Sequence, residues 1–263
     1  MRDIKLFIKN VKKYHKYAIR LAKAELKSEV ADSYLNWLWW VIEPLCFMLI
    51  YTFVFGYVFK NDTPYFATFV FIGLSAWDFF NRMMTGSVGL IVKNKGLVTK
   101  VYIPKYILLL SKSYTYLFKM GISFLIVFLL IIFQGVPFTP YMLFIIPVLI
   151  VLYIFSFSIG MLLMHFGVLL NDLANLTRIG LRMLFYLSGV FYNIRKRLGG
   201  KVQYILLRVN PIAFLMDELR KALLESQMPS FEGLIFWLLI GVILGIIGIK
   251  TIHKNENSYA KVV

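Results

Sequence analysis

Long apolar runs separated by short polar turns constrain this chain more than any other feature. They read as six membrane-crossing helices, at about residues 37–59, 65–85, 106–133, 141–165, 178–192 and 231–249. About 20 apolar residues in an α-helix cross a hydrocarbon core, and in lipid each backbone N–H and C=O must find its partner within its own segment. The expected fold is therefore an all-α, polytopic membrane protein. The third run exceeds the minimum length, which implies tilt or extension beyond the lipid, and the fifth falls short of it. Composition agrees: 60% of residues are hydrophobic and only 16% charged, against about 25% charged in soluble domains.

Residues 1–36 precede the first run as a separate, basic stretch. Ile4, Phe7, Ile8, Val11, Tyr14, Ala18 and Leu21 recur at helical spacing, while Lys5, Lys9, Lys12, Lys13, Lys16, Arg20, Lys23 and Lys27 mostly occupy the other face. That pattern fits a helix lying in the membrane interface, or a solvated helix packed on a partner. More than thirty residues before the first apolar run is too long for the n-region of a signal peptide. Trp37, Trp39 and Trp40 then mark a headgroup level, where indole rings partition. Residues 37–263 form the transmembrane domain.

The net charge is +16, with 29 Lys and Arg against 13 Asp and Glu. Cytoplasmic segments of membrane proteins are enriched in cations, which accounts for this balance without nucleic acid. With both termini cytoplasmic, Lys93, Lys95, Lys100, Lys105, Arg178, Lys250, Lys254 and Lys261 all fall inside. The connection 193–230 is the exception, because Arg195, Lys196, Arg197, Lys201, Arg208, Arg220 and Lys221 fall outside. Val202–Val209 and Pro211–Leu224 are apolar enough for short helices, so this region is either re-entrant or a peripheral surface loop. Residues from Lys250 onward read as a polar tail.

Signals for chemistry are missing. Gly199-Gly200-Lys201 lacks the leading glycine and the Ser or Thr of a phosphate-binding loop. His15, His165 and His253 are scattered, Cys46 is the lone cysteine, and no Cys/His cluster has metal-ligand spacing. His165, at the end of a span, reads as an interfacial residue rather than a proton relay. Ionisable groups inside the spans are the functional candidates, since unpaired charge in lipid is costly. Asp78 and Arg82 share a helix face at i, i+4, and Lys112 and Lys119 nearly share one in the third span. Asp78 and Lys112 lie at similar depth, about 10 Å in at ~1.5 Å per residue. An Asp78–Arg82–Lys112 cluster with Lys119 at mid-membrane follows, either as a structural ion pair or as a substrate contact.

The order of features resembles the ABC-2 type permease subunits that export cell-surface polymers. It is carried by the basic N-terminus followed by Ser33-Tyr34-Leu35-Asn36-Trp37-Leu38-Trp39-Trp40 and Glu43-Pro44-Leu45. Asn94-Lys95-Gly96-Leu97-Val98-Thr99-Lys100-Val101-Tyr102-Ile103-Pro104, Phe185-Tyr186-Leu187-Ser188-Gly189-Val190-Phe191-Tyr192, and Asn210-Pro211 with Arg220 complete it. The sequence departs from the family at Asn171-Asp172, where Arg-Asp is frequent, and at Leu35-Asn36, where Leu-Gly is.

The resemblance implies a homodimer in the bacterial cytoplasmic membrane, joined to two ATP-binding cassette subunits that hold ATP and Mg. This chain itself would carry no cofactor. It also implies an interfacial N-terminal helix, re-entrant helices before the last span, and a coupling segment 93–105. Lys93, Lys95, Leu97, Lys100, Val101, Tyr102 and Lys105 would dock on the ATPase. Lys27, Trp37, Trp39 and Trp40 would gate a lipid-linked polysaccharide, with wall teichoic acid favoured by the positive charge and O-antigen or capsule next. The rival readings are a polyprenyl-phosphate-linked glycan transferase, which needs acidic metal ligands in a cytoplasmic loop, and a secondary transporter, which needs inverted repeats. Neither signature is evident.

Overall fold

The computed structural model describes residues 2–31, 34–60, 62–100 and 103–262, and among these it is helical with no strand. Helix α1 (Arg2–Val30) carries the N-terminal apolar stripe. It lies against α6 (Lys105–Phe133) and α12 (Phe231–Val262), and its Ala18 and Ala22 are buried. At its start Phe7 and Asn10 clasp Tyr106, with ring centroids 4.9 Å apart and Asn10 Nδ2 donating to the Tyr106 hydroxyl at 2.7 Å.

Helix α2 (Trp39–Tyr51) follows one 3₁₀ turn and widens into a π-helical segment over Thr52–Val58. A turn with Lys60 and Tyr65 at positive φ leads to α3 (Phe66–Ser87), then to the short α4 (Leu90–Lys93) and α5 (Lys95–Lys100), and to α6. A 3₁₀ turn at Pro140–Phe144 opens α7 (Ile145–Leu169), and α8 (Leu173–Leu187) follows. Three short helices, α9 (Ile194–Arg197), α10 (Gly200–Val209) and α11 (Pro211–Leu223), precede α12 (Phe231–Val262).

The long helices alternate in direction. Thr68 of α3 meets Gln134 beyond α6, while Gly86 meets Tyr116, so α3 and α6 are antiparallel. Phe79 faces Tyr153 and Ser87 faces Gly160, so α3 and α7 are parallel. Helices α7 and α12 are parallel too and approach closely through glycine. A Cβ at Gly241 would sit 3.2 Å from Phe155 Cα, one at Gly245 2.8 Å from Ser158 Oγ, and one at Gly248 2.9 Å from Met161 Cβ. Small residues let helix backbones pack closely where lipid offers no driving force of its own. Because α7 and α12 start at the same end of the bundle, α8 must carry the chain back between them. Both termini and α4–α5 therefore share one end, and the turns before α3, after α6 and before α12 share the other.

Among the described residues, four helical stretches are long and apolar enough to cross a bilayer: Asn36–Val58, Lys105–Phe133, Pro140–Leu169 and Phe231–Glu256. Six were expected. Helix α3 has the length, at 22 residues, but Ser75, Asp78, Asn81, Arg82 and Thr85 lower its apolarity. Helix α8 has 15 residues, about 22 Å of rise. It also starts earlier than the expected span at 178, since the polar break is confined to residues 170–172, and it ends at Leu187, two residues before Gly189, whose φ is +67°. The expected tail from Lys250 is a continuation of α12, held by buried Ile252 and Tyr259. The Tyr259 hydroxyl lies 2.7 Å from Nδ1 of buried His165, so His165 is an interior packing residue rather than an interfacial one. Burial pushes the Tyr259 phenol above its usual range.

Within the basic connection 193–230, α11 is built into the protein, whereas α10 has no buried residue. Asn193 accepts from the N–H groups of Arg195 and Lys196, and Asn210 from those of Ile212 and Ala213, with Pro211 at the first helical position. These caps start α9 and α11. Every residue from Ile212 to Leu223 is buried. Arg220, 4% exposed, donates from Nε to the Phe69 carbonyl at 3.1 Å and from Nη1 and Nη2 to those of Gly189 and Val190 at 2.8 and 2.9 Å. Its guanidinium carbon also lies 3.5 Å from the Phe69 ring centroid. Lys221 pairs with Glu218 at 2.6 Å, Arg195 with Asp217 at 2.7 Å, and Glu218 Oε2 accepts from the Ser230 N–H at 2.7 Å, just before α12. Of the seven cations that made this region anomalous, Arg220 and Lys221 are thus buried and compensated, and Arg195 is exposed but paired.

Candidate functional site

A cavity of about 350 Å³ opens between α2, α3, α6 and α8. Its walls combine aromatic rings (Trp40, Phe47, Tyr51, Phe71, Trp77 and Phe185) with the polar side chains of Glu43, Ser75, Asp78, Asn81, Arg82, Lys119 and Ser123. Spacing explains the mixture. Trp40, Glu43, Phe47 and Tyr51 recur at three and four residues, and so do Phe71, Leu74, Ser75, Asp78 and Arg82, so each set lines one helix face. Trp77 packs against Phe185 with centroids 5.1 Å apart. Beyond the cavity the rings continue as a stack: Tyr51 and Phe55 each lie 4.5 Å from Phe191, and Phe59 lies 5.6 Å from Phe55.

The charges form a different set from the one expected. Arg82 Nε donates to Asp78 Oδ2 at 2.6 Å, as the i, i+4 spacing predicts. Lys119 reaches the same cavity, but Lys112 lines a separate cleft with Leu21, Ala24, Ser28 and Asn94. The Asp78–Arg82–Lys112 cluster is therefore corrected: Lys112 pairs with Glu25, and Lys119 Nζ with Glu29 Oε2 at 2.5 Å. Thr115 Oγ1 adds a bond to Glu25 at 3.5 Å. Both acids sit on α1, so two ion pairs tie that helix to α6. The signal available in the sequence was that Glu25 and Glu29 are carboxylates at i, i+4 on an otherwise basic helix.

The residues expected at the lateral entrance lie near one another in the chain but not in burial. Trp37 and Trp39 are exposed, Lys27 is exposed on α1, and Trp40 is half-buried, edge-on to Phe118 with centroids 5.5 Å apart. In the coupling segment, Leu90 and Ile91 anchor α4 in the core, Lys93 and Lys95 are exposed, and Leu97 packs partly against the core. Lys100 ends α5, and Val101 and Tyr102 lie outside the described residues. Lys105 is 4% exposed, with Nζ donating to the Ile103 carbonyl at 3.3 Å, which removes it from the exposed face of this segment. No group of three or more metal-ligating side chains occurs among the described residues.

The cavity sets ring faces beside carboxylates, as a binding surface does. Comparison with known proteins bears on what it binds. The model of the ABC-2 type transporter family matches residues 18–224. The chain is 27% identical over 238 residues to an O-antigen export system permease protein RfbA of Myxococcus xanthus, covering 90% of this chain and 91% of that one. It is 24% identical over 248 residues to a protein of the same name from Klebsiella pneumoniae, covering 92% and 93%.

Proposed function

The chain belongs to the ABC-2 type transporter family, and on that premise we propose that it is the permease subunit of an ATP-driven exporter of lipid-linked cell-surface polysaccharide. The carrying observation is that relatives named for O-antigen export align over nine-tenths of both chains. The preference for wall teichoic acid has no counterpart among those relatives, and it rested only on net charge.

The proposed assembly is a homodimer with two ATP-binding cassette subunits, which bind ATP and Mg and supply the hydrolysis this sequence has no loop for. It crosses the cytoplasmic membrane six times. Helices α3 and α8 join the four apolar stretches, because alternation in direction leaves them as the return strokes of the chain. Both termini and α4–α5 then face the cytoplasm, and α9–α11 dip back from the outer face. Exposed Lys93 and Lys95, with Lys100 and residues 101–102, dock in a groove of the ATPase, and closure of the ATPase pair is transmitted through α4, which is rooted in the core by Leu90 and Ile91. Exposed Lys27 and its neighbours on α1 hold the diphosphate of the lipid carrier beside Trp37, Trp39 and Trp40. Sugar residues pass over the aromatic cavity and the ring stack beyond it, with ring faces against sugar C–H surfaces.

The test is purification with the ATPase encoded beside it. A polyprenyl-diphosphate-linked glycan is expected to stimulate ATP hydrolysis by the complex, and Lys93→Glu with Lys95→Glu to abolish the stimulation. ATP hydrolysis by this chain alone, or unchanged stimulation in the double variant, would overturn the scheme.

A further inference from the structure

The cations in the cavity already have partners. Arg82 is bonded to Asp78 at 2.6 Å and Lys119 to Glu29 at 2.5 Å. Glu43 adds a second lining carboxylate, from α2, and is exposed. Two positive side chains of the lining, Arg82 and Lys119, thus meet two negative ones, Asp78 and Glu43, with Glu29 on Lys119 from outside it, in a chain whose net charge is +16. Lysines on the exposed face of α1, such as Lys23 and Lys27, lie outside the cavity.

We infer that this cavity is a subsite for uncharged sugar residues, and that Asp78 and Glu43 select against polymers carrying a phosphodiester in each repeat. The inference rests on the export reading above and narrows its substrate class. A phosphodiester needs cationic donors that are free to turn toward it. Here Asp78 holds the Arg82 guanidinium and Glu29 holds the Lys119 ammonium, so a phosphate oxygen must compete with a carboxylate already bonded to either cation. Glu43 and Asp78 also repel an anion that enters the cleft between them. A neutral pyranose meets none of these costs. Its hydroxyls donate to the carboxylates, and its C–H face covers Trp40 or Trp77. The net charge of the chain therefore does not describe its site: the free cations serve the carrier's diphosphate, and the compensated ones line the path of the glycan.

The test uses the complete permease with its ATPase partner in liposomes and two probes on the same polyprenyl-diphosphate carrier. One is an oligomer of neutral hexoses, the other an oligomer of glycerol phosphate of equal length. Stimulation of ATP hydrolysis is expected at roughly tenfold lower concentration of the neutral probe at low ionic strength, with the gap narrowing as salt rises. Asp78→Asn frees the Arg82 guanidinium and is expected to bring the two probes within about threefold, and Glu43→Gln to narrow the gap less. Both side chains are part-exposed, so the variants keep the fold, which their detergent-extracted yield checks. Equal or better stimulation by the phosphate probe, with the neutral probe also active, overturns the inference and leaves the export reading standing. An unchanged ratio in both variants overturns the assignment to Asp78 and Glu43. Stimulation by neither probe overturns the export reading and this inference with it.

Discussion

Helix α11 and the segment through α2 invert the rule of soluble proteins. Helix α11 holds Asp217, Glu218, Arg220 and Lys221 in 13 residues, yet is buried from Ile212 to Leu223. The stretch Asn36–Val58 is apolar enough to cross a bilayer, and Met48 is its one buried residue. In lipid the cost falls on polar groups: a charge must find its partner within the protein, whereas Leu49 or Phe53 loses little by facing acyl chains. The buried face of α11 is accordingly a completed network, and the exposed face of α2 is open to lipid or a second copy.

That contrast can be broken by substitution. The largest effect is expected at Arg220→Met, which leaves the carbonyls of Phe69, Gly189 and Val190 without their donor. Loss of about 3–5 kcal/mol is expected, read as the unfolding midpoint in detergent. Arg220→Lys should recover only part, because an ammonium cannot present the fork that meets three carbonyls at once. Gly73→Ala comes next, at about 1–3 kcal/mol by the same measurement, since its Cβ would occupy the place of Arg220 Nη2. Lys119→Met, measured with Glu29→Gln in a double-mutant cycle, should show coupling of under about 1 kcal/mol, because Glu29 is 35% exposed. Faster proteolysis within α1 would accompany it. Phe53→Ala closes the series: the side chain is 61% exposed, and stability of the protomer should change by less than about 0.5 kcal/mol. A loss at Phe53 as large as that at Arg220 would erase the distinction between the two regions.

Apolar run length made α2, α6, α7 and α12 legible in the sequence, because lipid imposes length and composition on a segment one helix at a time. The amphipathic α1 was legible for the same reason. The Asp78–Arg82 pair followed from local spacing. What escaped depended on which helices become neighbours. Glu25 and Glu29 were 87 and 90 residues from the lysines they meet, and nothing in the local pattern linked them. Lys105 read as a docking residue because it ends a basic segment, yet it begins α6 in the interior. Of the seven cations in 193–230, Arg220 meets carbonyls and Arg195 and Lys221 meet Asp217 and Glu218, while Lys196, Arg197, Lys201 and Arg208 stay exposed. The start of α11 was marked by Asn210-Pro211; its burial was not, since four charges in 13 residues ordinarily mean solvent.

Helix α12 has a mechanical consequence. Its 32 residues contain no proline, and glycines 241, 245 and 248 bolt it to α7 along its middle. At ~1.5 Å per residue it is a rod about 48 Å long, against a hydrocarbon thickness of about 30 Å. One end touches α5 and the other begins where Glu218 caps Ser230. A rod without a hinge turns angle into distance: a tilt of about 5° moves one end by about 4 Å relative to the other over that length. Leverage between the two faces of the bundle therefore needs no relay of side chains, only a stiff beam and a fulcrum.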